Sequence, residues 1–127
     1  MQVLIDSSAW IPLLRNRSEK HLHAETEALL SENRAAMTDP IWFELYRGVR
    51  GRSEERHLEN LRDLCRWLEF DPNCWSQAAI CGRACLRAGV NVPTGDLLVF
   101  GCKCHYEVDL LHRDRHFEMI EGAMKRS

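Results

Sequence analysis

Four carboxylates stand at positions where α/β proteins concentrate their chemistry. Asp6 ends the apolar run Val3-Leu4-Ile5, Glu44 lies inside the apolar stretch 41–46, Asp96 precedes the run 97–102, and Asp114 follows the run 108–112. An Asp at the C-terminal end of a buried strand, facing a helix N-terminus, lies where open α/β sheets bind their ligands. The alternative is that Asp6 is itself a helix cap; Ser7 or Ser8 can also cap a helix running through Ala9, Trp10 and Ile11. Glu44 is either at the rim of a buried helix face or held by a cation, because an unpaired buried charge is expensive. In a parallel sheet all four acids can reach one edge. They would then repel and raise one another's pKa values. A divalent metal removes that cost: Mg²⁺ takes hard oxygen ligands, and two ions about 4 Å apart stabilise both the attacking and the leaving oxygen of a phosphodiester. The chemistry suggested is metal-assisted phosphodiester hydrolysis.

Directly after Glu44 come Arg47, Arg50, Arg52 and Arg56, in a chain where Arg greatly outnumbers Lys. Arg grips phosphate through a planar bidentate fork. Arg47, Arg50 and Arg52 are therefore candidate phosphate contacts, with a solvated face as the alternative, and Glu54 and Glu55 partly neutralise them. The net charge of −2 argues against a general nucleic-acid coat but leaves room for a local basic groove. Six cysteines, at 65, 74, 81, 85, 102 and 104, include none of the paired C-x2-C knuckles usual for zinc, although Cys102, Cys104 and His105 sit close together. His21 and His23 read as solvated. His112 and His116 read as packing or surface residues, and Glu118 is not counted as a ligand.

The elements that must position these residues alternate in type. The strand 3–5 leads into a short helix over 10–14. Ser18 caps a helix over 19–32 with Leu22, Ala28, Leu29 and Leu30 as its apolar stripe. A short strand over 35–38 precedes a helix opened by Asp39-Pro40, with Ile41, Phe43 or Trp42, and Leu45 inward, broken by Gly48 and Gly51. Ser53 caps the next helix, whose core stripe is Leu58, Leu61, Leu64, Cys65 and Leu68. Glu69-Phe70 is a candidate strand. A helix over 75–88 stops at Gly89. The run 97–102 reads as a buried helix capped by Thr94 or Gly95, with Asp96 in its first turn. The strand 108–112 comes last, followed by a helix or strand over 117–125. Alternation of strand and helix implies an α/β protein with a parallel sheet covered on both sides, and the length suits one domain over 1–127.

At the level of motifs the chain resembles PIN domains, and more narrowly VapC-type toxins of bacterial toxin–antitoxin pairs. Leu4-Ile5-Asp6-Ser7-Ser8-Ala9-Trp10-Ile11 is similar to the family's opening motif. The segment from Asp39 to Gly48 resembles the second, which supplies a Glu and a following Gly; Gly89 to Val99 resembles the third; Leu110 to Phe117, with Phe three residues after the Asp, resembles the fourth. The motifs occur in the family's order over essentially the whole chain. One departure is the segment after Asp96, usually Ala-rich and here containing Phe100, Cys102 and Cys104.

The resemblance implies a PIN-like three-layer α/β/α fold with a central, mostly parallel sheet. It implies a Mg²⁺- or Mn²⁺-dependent endoribonuclease with Asp6, Glu44, Asp96 and Asp114 as its catalytic acids, metal held by Asp6, Asp96 and Asp114, and Ser8 orienting Asp6 through a hydrogen bond. It further implies an RNA substrate, a homodimer, and a hetero-oligomer with a cognate antitoxin, whose Arg or Lys would enter the acidic pocket. The antitoxin's apolar segments would lie along the 19–32 helix and the helix carrying Trp42 and Tyr46. Two other readings stand beside this one. An aspartyl-nucleophile phosphatase usually wants a second Asp two residues after the first, where this chain has Ser8. A non-catalytic PIN-like module would bind RNA or protein only. No basic, apolar leader precedes the first strand and no segment is long and apolar enough to span a membrane, so a cytoplasmic protein with free thiols is expected.

Overall fold

The computed structural model describes residues 1–15, 21 and 23–127. Val3–Ile5 forms β1, buried on both faces, and pairs in parallel with β2 (Ala35–Thr38) on one side and β4 (Asp109–Leu111) on the other. β3 (Arg66–Leu68) pairs in parallel with β2 at the edge, giving the order β3-β2-β1-β4. Every pairing is parallel, so the strands' C-terminal ends all lie at one edge, and a near-continuous apolar run is what such a doubly covered strand needs. The chain steps outward from β1 to β2 to β3 and then returns across the sheet to place β4 against β1. That reversal makes a topological switch point at the C-terminal ends of β1 and β4, the usual place for a ligand in such sheets.

Helices cover the sheet as two layers. α1 (Ser7–Leu14), α2 (Ala24–Ser31), α3 (Asp39–Arg47) and α4 (Arg52–Asp63) pack on one another; α5 (Pro72–Arg87), α6 (Thr94–Tyr106) and α7 (His116–Arg126) form the other group. The core between them contains Leu4, Ile5, Trp10, Met37, Ile41, Leu58, Phe117 and Ile120, all essentially inaccessible to water. The three-layer α/β/α architecture implied by the sequence is present.

Several local expectations are corrected. The edge strand lies at Arg66–Leu68, not at Glu69-Phe70. Side chains satisfy the backbone beyond it: Phe70 N donates to Asp39 Oδ2 at 2.8 Å, and the Tyr106 hydroxyl donates to the Glu69 carbonyl. Asp39 is thus the first residue of α3 rather than its cap. Leu68 is buried from the strand, whereas Leu64 is exposed past the end of α4. α4 is capped by Gly51 at φ +137°, a backbone that only glycine adopts freely, and Glu54 reaches back to accept from Arg50 N at 3.2 Å; Ser53 lies inside the first turn. α5 begins at Pro72, capped by Asp71, and α6 is preceded by Pro93 rather than capped by Thr94 or Gly95. Phe43 is exposed while Trp42 is half-buried. The Ser18 cap and Leu22 lie outside the described residues. Within α2, Leu29 and Leu30 are half-buried and Thr26 is the buried residue, but Ala28 is exposed. His23 is not freely solvated: its ring lies 3.1 Å from Glu27. All six cysteines are unbridged. No helix among the described residues is long and apolar enough to cross a membrane.

α5 and α6 pack closely against each other at Gly101. A Cβ at Gly101 would sit 2.6 Å from Ala78 N and 2.8 Å from Ala78 Cα, both backbone atoms that cannot swing aside. Gly101→Ala is expected to destabilise the fold by roughly 1–3 kcal/mol despite its better helix propensity. Gly82→Ala, whose Cβ would meet only Leu97 at an ordinary 3.7 Å, is expected to be neutral or stabilising by up to about 1 kcal/mol. Urea unfolding of the two variants checks the contrast, and equal effects would contradict this packing.

Candidate active site

Asp6 combines both roles that its position offered. It is the N-cap of α1, with Oδ2 accepting from Ser8 N at 3.0 Å and from the Ser8 hydroxyl at 2.6 Å. It also sits at the end of the central strand, only 3% exposed. The Ser8 hydroxyl accepts in turn from Arg113 N at 2.9 Å, so one side chain ties the end of β1 to the loop after β4. Burial raises the Asp6 pKa, the two Ser8 hydrogen bonds oppose this, and the Glu44 charge adds to the rise.

The other three acids come to the same edge. Asp96 lies in the first turn of α6, and Asp114 sits just before α7. Glu44, on α3, accepts a hydrogen bond from the Ser7 hydroxyl and lies beside Gly95. Asp96 is pushed up to about 7, first by burial, then by the Asp114 charge and a proton shared with Asp114, with Asp6 adding a smaller repulsion and His116 opposing. The four predicted carboxylates therefore converge and act on one another electrostatically.

Two participants were not anticipated. Ser7, read as a candidate cap, instead fixes Glu44. His116, read as packing or surface, turns its ring into the acidic cluster: Nδ1 is 2.8 Å from Asp114 Oδ1 and 3.2 Å from Asp96 Oδ2. The signal was the Asp-x-His spacing at a helix start, which returns the ring to the carboxylate two residues before it; His116 N also donates to Asp114 Oδ1 at 2.9 Å. His112 packs against Phe117, with ring centroids 4.9 Å apart.

Asp96, Asp114 and His116 present donor atoms within 4.8 Å of one another, and Asp96 Oδ2 and His116 Nδ1 are buried without a well-formed hydrogen bond. A crowded carboxylate set with an unsatisfied buried oxygen fits a divalent cation. The Arg residues divide. Arg47 lines a groove with Glu44, Phe43, Phe70, Trp75 and Gly95, while Arg50 and Arg52 line a separate hollow with Leu14, Arg15 and Glu54.

The PIN domain family model matches residues 3–123. The chain belongs to the PIN domain family. No curated protein sequence matches it at a significant level. Solved structures with the same fold as this PIN domain include DNA-bound VapBC from Salmonella typhimurium, at 20% identity and a TM-score of 0.78, covering 96% of this chain and 94% of the other. FitAcB from Neisseria gonorrhoeae matches at 17% identity and 0.79, covering 94% of each chain. VapC20 of Mycobacterium tuberculosis, a toxin described as cleaving the sarcin–ricin loop, matches at 13% and 0.65, covering 92% and 93%.

The raised Asp96 pKa gives the metal-free PIN domain a pH signature. The carboxyl titrates at about 7 when folded against an ordinary 3.8. Between those values the folded state holds a proton that the unfolded state has released, so this group's contribution to stability falls as pH rises from about 4 to about 7. Asp6, also raised, acts in the same direction. In chelator, the wild type is expected to lose stability relative to Asp96→Asn across that window, measured as the difference between their urea midpoints. A difference that is flat or grows with pH in favour of the wild type would contradict the assignment.

Proposed function

We propose that this PIN domain is a metal-dependent endoribonuclease, the toxin of a VapBC-type toxin–antitoxin pair. The observation that carries the reading is the convergence of Asp6, Glu44, Asp96 and Asp114 at the sheet's C-terminal edge, with Asp96 Oδ2 lacking a proper partner. Asp6, Asp96 and Asp114 would hold Mg²⁺ or Mn²⁺, whose all-oxygen preference matches these donors. When bound, the ion supplies neutralisation of the crowded charges and a lowered pKa for water.

The chain's own residues do the positioning. The Ser8 hydroxyl keeps one Asp6 oxygen occupied, and so directs the other towards the pocket. The Ser7 hydroxyl holds Glu44 at the rim, where it helps orient an attacking water. His116 keeps Asp114 in place through its backbone N–H and sets its imidazole beside Asp96. RNA as substrate is supported by the sarcin–ricin loop cleavage described for VapC20 and by Arg47 in the groove beside Glu44. Of these, Arg47 shares its groove with Glu44 and contacts phosphate next to the reacting centre; Arg50 and Arg52 contact strand further away.

The solved VapBC and FitAcB structures support an antitoxin partner, and a hetero-oligomer built on a toxin homodimer belongs to the same proposal. The anionic pocket that takes a metal also takes an antitoxin Arg or Lys, so the two compete for the same carboxylates. With no membrane-crossing helix among the described residues, the cytoplasm is the proposed location.

Cleavage of single-stranded RNA tests the catalytic reading. Asp96→Asn is expected to lower the Mg²⁺-dependent rate by about a hundredfold or more, the scale of losing one preorganised electrostatic contact to a transition state. Wild-type rates from folded Asp96→Asn protein would refute it. Arg47→Ala is expected to weaken RNA binding and to reduce the steepness of its salt dependence by about 0.7 in log–log slope. An unchanged slope would make Arg47 a solvated side chain.

A further inference from the structure

We propose that Asp71, Cys74, Cys102 and His105 form a second metal site, separate from the acidic pocket and suited to a zinc-class ion. Two i,i+3 pairs face each other here. Asp71 and Cys74 lie at the start of α5, and Cys102 and His105 lie in the last turns of α6. Residues with this spacing share a helix face. The resulting D-x2-C and C-x2-H pairs take the place of the C-x2-C knuckles that the sequence lacks.

Asp71, Cys74 and His105 present donor atoms that all lie within 4.8 Å of one another. Asp71 divides its carboxylate between two tasks. Oδ1 caps α5 by accepting from Asn73 N at 2.9 Å and Cys74 N at 3.1 Å, which leaves Oδ2 facing His105 Nε2 at 3.3 Å. That separation is long for a charge-assisted hydrogen bond. It matches the edge of a tetrahedron whose nitrogen and oxygen ligands stand about 2.1 Å from zinc. The Cys74 thiol is fully buried, its backbone acceptor among the described residues is the Glu69 carbonyl at a weak 3.8 Å, and it neighbours the Cys102 thiol, which stands outside that set of three and completes the site as a fourth donor when it turns in. Asp71 and His105 are partly exposed and give an ion its way in.

The donor chemistry separates the two sites. Thiolate and imidazole select zinc-class ions, whereas the all-carboxylate part of the active site favours Mg²⁺ or Mn²⁺. Binding displaces the thiol protons and pins the C-terminal end of α6 to the N-terminal end of α5, at the far end of the helix from Asp96.

The test is a Co²⁺ titration of the full chain in a non-thiol reductant with excess Mg²⁺ present. The expected result is a saturable sulfur-to-cobalt charge-transfer band with tetrahedral d–d bands at one ion per chain, bleached by Zn²⁺. The band is expected to disappear in Cys74→Ser and His105→Gln and to persist in Asp96→Asn and Cys81→Ser. Asp71→Asn, which keeps a helix-capping side chain, is expected to stay folded and bind Co²⁺ more weakly. Absence of the band, its survival in folded Cys74→Ser, or its loss with Cys81 instead would overturn the proposal. If Cys74→Ser does not fold, the partly exposed His105→Gln decides alone, and an unchanged band there overturns it.

Discussion

Asp6 is a carboxylate fixed in the buried interior at the end of β1, and the arrangement around it follows from keeping it there. It terminates an interior strand, β1, flanked by β2 and β4, and burial raises its pKa against the hydrogen bonds that the start of α1 provides. Capping the helix and presenting an acid to the site are therefore one act. The cap consumes one oxygen and orients the other. Ser8 extends this by bonding Arg113 N, which locks the β4 loop and hence Asp114 to the same point. A cation arriving there, as proposed, would meet carboxylates already held in place, so little reorganisation would oppose its binding.

The parts of this arrangement legible in the sequence were those written in short, local patterns. Val3-Leu4-Ile5 and the Asp39-Pro40 start identify a buried strand and a helix with little ambiguity, and the four ordered motifs carried the family. What stayed hidden depended on contacts between distant segments. Leu68 has the helical spacing of Leu58 and Leu61, yet pairing with Thr38 takes it into a strand. Ser53 looks like a better cap than Gly51, but the left-handed turn and Glu54 move the boundary. His116 could not be assigned because its role rests on α6 bringing Asp96 within reach. The Arg run looked like one patch and is two, because Arg47 ends α3 while Arg50 and Arg52 flank the turn into α4.

The same logic separates the chemistry of the two helix layers. α1 and α3 supply hydroxyls and a carboxylate to the site, and α3 also carries exposed aromatics: Phe43 under the Arg47 guanidinium at 5.8 Å from its ring centroid, and Tyr46 donating to Glu55. α5 and α6 meet so closely at Gly101 that the thiols fill what space remains, and small, soft side chains suit such a seam. The helix that delivers Asp96 is thereby packed tightly against α5 around Gly101, which helps to fix the position of a crowded charge.

The central claim is that Asp96 belongs to a carboxylate cluster whose charge is relieved by a cation. Its titration can be followed directly by NMR from the side-chain carboxyl carbon in selectively labelled protein. The account predicts a midpoint near 7 in chelator, displaced well downward when Mg²⁺ is added. A midpoint in the ordinary carboxylate range without metal, or one that Mg²⁺ does not move, would contradict it.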